Sequence, residues 1–365
     1  MMKIEENSLF EKIIAKENLY LAAHQAALGK RFRDNVALWR LNIEEQVGRL
    51  HEDFRCKRYK HGSYKIFQIW DPKKREISVA PFRDRVVHHA FHDVIEPAVD
   101  KKFIYDSYAC RNEKGTHQAL GRADKFIRAN RYCFHGDIKK YFPSIDHAIL
   151  KGLLRRHIED EDVLKVLDGV IDSSGELGLP IGNLTSQFFA NLYLHELDFY
   201  VKHTLHCKYY IRYMDDFLVF DNDRIRLEGI RLNLGNFLSQ HLKLQMHAGK
   251  SQITQSVKGV KFLGFRLYPE MRRMSTDGVR RFRKRLKSFR YLLQNGLMEE
   301  SKAIESVNCW RSHSSYADTA ILRKNIYNEV SRWNKNLAQA VVGDESKKKM
   351  FNGANRKKDD GADGQ

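Results

Sequence analysis

The stretch YIRYMDDFLVF, residues 210–220, sets two adjacent carboxylates, Asp215 and Asp216, between two short apolar runs. Adjacent like charges repel, and a carboxylate in apolar surroundings is costly unless something neutralises it. The flanking residues read as two buried strands with the carboxylates at their turn. Two divalent cations about 3.5–4 Å apart would neutralise such a turn, and in-line phosphoryl displacement at a metal pair calls for a third carboxylate. Asp137 meets that need: it ends the apolar strand YCFHGDI, and Ile138 after it can offer a backbone carbonyl to a metal. An isolated pair of aspartates would read as an exposed hairpin turn, and Asp137 as a cap on the turn into KKYFPSIDH. The strand-borne third carboxylate and the preceding Tyr213-Met214 reverse that preference.

The remaining composition suits an enzyme that handles polyanions. A chain of 365 residues can build two or three subdomains around a sizeable core. Lys and Arg number 64 against 46 Asp and Glu, a formal charge of +18 that favours nucleic acid over a neutral metabolite as partner. Cys56, Cys110, Cys133, Cys207 and Cys309 are widely spaced without a C-x-x-C pair, which argues against a zinc site or disulfide framework and suits a reducing cytoplasm. The start MMKIEENSLFEKII is too charged for a signal peptide, and no apolar run nears the ~20 residues that span a bilayer. A cytoplasmic protein without a membrane partner is expected.

Periodicity orders the elements around the carboxylates. Residues 8 to about 60 read as helical, with Leu38, Leu41, Val47, Leu50 and Phe54 near one stripe. YKIFQIWDPKKREISVA reads as a hairpin with Asp71-Pro72 in its turn and Lys73, Lys74 and Arg75 at its tip. After the Asp137 strand come helices to about 171, the glycine-rich loop SSGELGLPIGN, and the helix LTSQFFANLYLHELDFYVKH. A second hairpin covers 208–221, followed by a helix over 224–241, a short strand pair around GVKFLGFRLY and a basic helical region from 277 to about 341. The tail, 342–365, is charged, poor in apolar residues and expected to be disordered.

YMDD between apolar strands, preceded by DIKKYFPSID and GLPIGNLTSQFFANLYL, resembles the palm of a reverse transcriptase with motifs A, B and C in their usual order. REISVAPFRDRVVHHAF and DSYACRNEKGTHQA resemble the fingers blocks, HAGKSQI the motif D lysine loop, and VKFLGFRL the primer grip. The resemblance implies an α+β right-hand polymerase: an N-terminal helical extension over 1–59, fingers over 60–125, a palm of antiparallel sheet plus helices over 126–268, and a helical thumb over 269–341. It also implies RNA-directed DNA synthesis from dNTPs on a template RNA paired with a primer or cDNA. Two Mg²⁺ ions, with Mn²⁺ as the alternative, would be held by Asp137, Ile138, Asp215 and Asp216, the three aspartates being catalytic.

The same resemblance assigns further residues. Phe142, five residues after Asp137, matches the aromatic beneath the incoming sugar, with core packing as the plain alternative. Arg75 and Arg111 are candidates to clamp the triphosphate, because a planar guanidinium bonds phosphate oxygens in pairs. Lys250 would serve the departing pyrophosphate or be a surface lysine. Ile181 stands where most members carry Gln, so hydrogen bonding beside the nascent base pair is lost; Gly182 lets backbone approach the template, and Gln187 shares that helix. Phe262, Leu263 and Gly264 of the primer grip would touch nucleic acid. So would Arg281, Arg283, Lys284 and Lys287, which interleave with Val279, Phe282, Leu286 and Phe289 at helical spacing. His88, His89 and His92 lack acidic or cysteine companions at ligand spacing and read as structural.

Ile181-Gly182 and Ser186-Gln187 replace the usual Gln-Gly and Ser-Pro of motif B, a variant similar to the enzymes of diversity-generating retroelements, as is CWRSHSSYADT. That resemblance implies error-prone copying at adenines for mutagenic retrohoming, a small basic accessory protein and a structured template RNA; an oligomeric assembly and a monomer both stay open. The alternatives are a phage-defence reverse transcriptase using its own noncoding RNA and, from another class, a non-catalytic RNA-binding scaffold, against which the three aspartates speak. An intron maturase is set behind these because no DNA-binding or endonuclease region follows the thumb.

Overall fold

The computed structural model describes residues 8–70 and 74–343. The hairpin tip at Asp71, Pro72 and Lys73 and the tail from residue 344 lie outside the described residues. The chain divides into two compact units, one of residues up to Phe126 with Asn130–Thr254, the other of Ile127–Ala129 with residues from Gln255 on.

The first unit opens with four helices, Leu9–Ile14, Lys16–Ala27, Asp34–Leu41 and Ile43–Arg55. Val47, Leu50 and Phe54 are buried, but Leu38 and Leu41, read onto the same stripe, are exposed. Asn42, with φ −110 and ψ 32, interrupts the helix and resets its phase, so Val36 and Trp39 face inward instead. Strands β1 (Lys65–Trp70) and β2 (Lys74–Val79) pair antiparallel, with Ile69 opposite Arg75. Helices Phe82–Asp100 and Thr116–Ala129 follow.

The central sheet has the order β4-β5-β3-β6, from β3 (Tyr132–Asp137), β4 (Tyr209–Tyr213), β5 (Asp216–Asp221) and β6 (Gln252–Gln255). β5 runs antiparallel to both neighbours. Apolar runs fit these strands because both faces are covered, and Phe134, Ile211, Phe217, Leu218 and Val219 are buried. Gly136 faces Phe217 across the ladder, and a methyl there would overlap the Phe217 ring. Helices His147–Arg155, Glu161–Asp172 and Arg224–His241 each begin with an aspartate, Asp146, Asp160 and Asp223, whose side chain accepts backbone N–H bonds of the first turn. The helix Leu184–Phe199 is apolar on nearly every face and runs through the core.

The second unit holds a three-stranded sheet, β7 (Val260–Phe262), β8 (Phe265–Leu267) and β9 (Arg272–Met274), and the helices Thr276–Gln294, Glu300–Ser314, Ala320–Val330 and Lys335–Val342. β7 and β8, grouped with the palm from sequence, thus cluster with the helices that follow them. Phe282, Leu286 and Phe289 point inward, and Phe282 stacks on Trp310 with centroids 3.8 Å apart. The five cysteines are free. Among the described residues no helix is long and apolar enough to cross a membrane.

Candidate active site

Met214 and Asp215 make the turn between β4 and β5, Met214 at φ 58 in the left-handed region. Asp216 opens β5 and is register partner to Asp137 on one side and Tyr213 on the other. Directly opposed residues of an antiparallel pair share a face, so the carboxylates of Asp137 and Asp216 emerge together. The Ile138 N–H donates to the Asp215 carbonyl at 3.2 Å, which ties the third aspartate to the same backbone. Burial, and after it the charges of Asp137 and Asp216, push the Asp215 carboxyl up to about 6 against the opposing effects of a backbone N–H and Lys250.

Two cationic or polar partners sit on the other carboxylates. Lys250 Nζ donates to both oxygens of Asp137 at 2.7 and 2.6 Å, and His135 Nε2 lies 2.6 Å from Asp216 Oδ1. With these side-chain positions, no group of three or more His, Cys, Asp or Glu among the described residues forms a metal cage. The donor set still fits a hard divalent cation in kind: three carboxylates on adjoining backbone, with Asp215 raised first by burial and then by the charge of the other two. His135 escaped the sequence reading, although a residue two before Asp137 on a strand must share its face.

Beneath the turn lies a buried ion pair. Arg212, fully buried, donates to Asp198 at 2.7 and 2.6 Å, to Asn191 Oδ1 at 3.3 Å and to the Met214 carbonyl at 3.2 Å; Tyr210 also donates to Asp198, at 2.7 Å. This network anchors the YMDD turn to the core helix. Its signal was present in the sequence as one arginine in an apolar strand and one aspartate in an apolar helix, since buried charges must be paired.

Other assigned residues fall into three groups. The loop that leads to Ile181 and Gly182 adjoins the one that carries Phe142: Leu179 N–H donates to the Phe142 carbonyl at 2.8 Å and Gly178 N–H to the Ile145 carbonyl at 2.9 Å. Phe142 is half-buried and packs edge-on to Tyr141. The close approach made by Gly182, at φ +124, is to β2: a Cβ there would lie 3.0 Å from the Ser78 carbonyl oxygen, while Ser78 N–H donates to the Ile181 carbonyl at 2.9 Å. Gln187 is exposed on the following helix. Arg75 is exposed on β2 and makes no ion pair among the described residues.

Two assignments are corrected. Arg111 does not stand free for a triphosphate: it pairs with both oxygens of Asp100 and donates to the carbonyls of Ile104 at 2.8 Å and Ser107 at 2.9 Å, with its side chain 6% exposed. Phe262 is 2% exposed, which withdraws its ring from contact with nucleic acid. Leu263 and Gly264, at φ 47 and 86, form the two-residue turn that the hairpin presents outward. Arg281, Arg283, Lys284 and Lys287 are exposed on the helix face opposite Phe282, Leu286 and Phe289. His88 is buried against His61, Nε2 to Nε2 3.2 Å, a packing role.

Residues 62–267 match the family model described as reverse transcriptase (RNA-dependent DNA polymerase). The chain therefore belongs to the reverse transcriptase family, whose members are nucleotidyltransferases. It is 28% identical over 260 residues to protein YkfC of Escherichia coli, covering 56% of this chain and 67% of that one. It is 24% identical over 265 residues to the group II intron-encoded protein LtrA of Lactococcus lactis, covering 53% of this chain and 44% of LtrA; the chain thus spans less than half of that relative's length. Among solved structures, apo telomerase from Candida tropicalis superposes with a TM-score of 0.46 at 11% identity, over 57% of this chain and 48% of that one.

Proposed function

We propose that this chain is an RNA-templated DNA polymerase that extends a primer or cDNA with dNTPs, built as fingers, palm and thumb in the order read from its motifs. The observation that carries the proposal is the register of Asp137 against Asp216 beside Asp215 in a chain of this family. Asp137, Asp215, Asp216 and the Ile138 carbonyl would hold two Mg²⁺ or Mn²⁺ ions, which supply acidification of the primer 3′-hydroxyl and neutralisation of the triphosphate. The protein's own side chains position and exclude. Arg75 bonds triphosphate oxygens from the exposed hairpin, and Phe142 lies under the sugar, where a ribose 2′-hydroxyl would collide. Lys250, on a flexible stem at Asp137, directs positive charge toward the leaving pyrophosphate. Ile181 contributes shape and no hydrogen bond beside the nascent pair.

The motif B variant supports a narrower role, mutagenic retrohoming in a diversity-generating retroelement with a basic accessory protein. A second reading, an intron-type enzyme working on its own structured RNA, is favoured by the match to LtrA. One assay separates these levels: single-nucleotide insertion opposite each template base, run with wild type and with Asp215→Ala/Asp216→Ala. The double variant should lose incorporation and keep RNA affinity, and undiminished synthesis would overturn the active-site assignment. Misinsertion by the wild type concentrated opposite adenine supports the retroelement role; equal errors at all four bases remove it and leave the polymerase.

A further inference from the structure

The turn between the second and third helices, Leu28 to Arg33, carries LGKRFR. Phe32 is 98% exposed, the most exposed large apolar side chain described, and Lys30, Arg31 and Arg33 around it are exposed as well. Both flanking helices pack on the helix Phe82–Asp100: Lys16–Ala27 lies along it, and Trp39 meets Phe82 edge-on at 5.0 Å. Arg85 lies on that same helix, three residues on from Phe82. Arg85 sits 5.0 Å over the Phe82 ring, and its Nε is buried without a hydrogen-bond partner.

Among the described residues none of Lys30, Arg33 and Arg85 is in an ion pair, and Asp34 is the one carboxylate between residues 28 and 40. The cations feel one another: burial first, then the charges of Arg85 and Arg33, hold Lys30 below the usual lysine range, and burial followed by Arg33 lowers Arg85. Unpaired cations gathered at this density are stabilised by a polyanion, and a bare aromatic among them adds a face on which a base can stack.

We propose that Lys30, Arg33 and Arg85 form a phosphodiester-binding site, with Phe32 as its stacking platform, that holds single-stranded RNA away from the aspartate turn. The choice of RNA rests on the polymerase reading above; the site itself does not. Both Phe32 and the Lys30/Arg33 pair are exposed, so Phe32→Ala and Lys30→Gln/Arg33→Gln in the full chain keep the fold.

The test is fluorescence anisotropy with a labelled single-stranded RNA oligonucleotide and an abasic version of it, titrated at several salt concentrations. Phe32→Ala should weaken binding to the base-bearing strand by about tenfold, the size of one stacked base, and leave the abasic strand unaffected. The charge variant should flatten the plot of log affinity against log salt by about 1.4, two phosphates' worth on a single strand. Extension of a preannealed primer–template at saturating concentration should persist in both. Unchanged affinity and slope would overturn the proposal and leave the Phe32 face to a protein partner; an equal loss on both strands would overturn stacking. Absence of extension by the wild type would strike the polymerase reading instead, because the binding measurement does not depend on synthesis.

Discussion

Arg111 gives its donors to the Asp100 carboxylate and to two carbonyls inside the first unit, whereas Arg75 stands exposed opposite Ile69 with no ion pair among the described residues. The same guanidinium therefore serves stability at one position and remains available for phosphate at the other. Arg111→Ala strands a partly buried carboxylate and should cost about 3 kcal/mol, the lower end for breaking such a pair because Asp100 keeps some water contact. Arg75→Ala should leave stability within about 0.5 kcal/mol and raise the KM for dNTP. Urea midpoints and single-nucleotide kinetics read the two effects; a dNTP defect in Arg111→Ala at full stability would restore it as a clamp. The aspartates were legible because a carboxylate pair in an apolar strand has few explanations. The occupation of Arg111 was not, since it depends on Asp100 and on carbonyls brought round by a turn.

The helix Thr276–Gln294 divides its residues cleanly, Phe282, Leu286 and Phe289 inward and Arg281, Arg283, Lys284 and Lys287 outward. Replacing those four cations with Gln removes no buried side chain and breaks the exposed Arg283–Glu329 pair at 3.8 Å, which is worth little, so the second unit should keep its melting temperature. The salt dependence of template–primer binding should become shallower by about 3.6 on a duplex, four released counterions' worth. Phe282→Ala removes the ring stacked on Trp310 and should destabilise this unit by about 3–5 kcal/mol without altering the salt slope of the folded fraction. An unaltered slope in the charge variant would exclude this face as a contact. This helix could be read directly from its period, Arg224–His241 from the aspartate that caps it, and the YMDD hairpin from its two continuous apolar runs. β9 could not, because Arg272-Arg273-Met274 carries no apolar alternation and is a strand only through its pairing with β8. The stripe through Leu38 and Leu41 failed for a local reason, the interruption at Asn42, which hydrophobicity does not register.

Across the whole molecule the +18 charge and the 16 histidines make pH a general variable, and the buried His88 makes a contribution whose sign can be worked out. His88 is 1% exposed and stacks on His61, and burial, with smaller contributions from His61, His89 and Arg85, lowers it to about 3. Burial is also the first cause lowering His61, His89, His157 and His195. In the unfolded chain each takes a proton near pH 6.5, while folded His88 remains neutral until about pH 3. The unfolded state therefore binds more protons in that window, so the contribution to stability is complete above pH 6.5 and is lost as pH falls toward 3. Between those two values His88 tilts stability by up to about 1.4 kcal/mol per pH unit. Asp215, raised to about 6, tilts the other way below that pH, so the clean comparison is between wild type and His88→Gln. Urea midpoints of the first unit between pH 7 and pH 5 should fall less steeply in the variant, by about one proton per molecule over the lower part of the range. Equal slopes would mean that His88 takes up its proton in the folded state as readily as in the unfolded one, and that the His61–His88 contact opens to water well above pH 3.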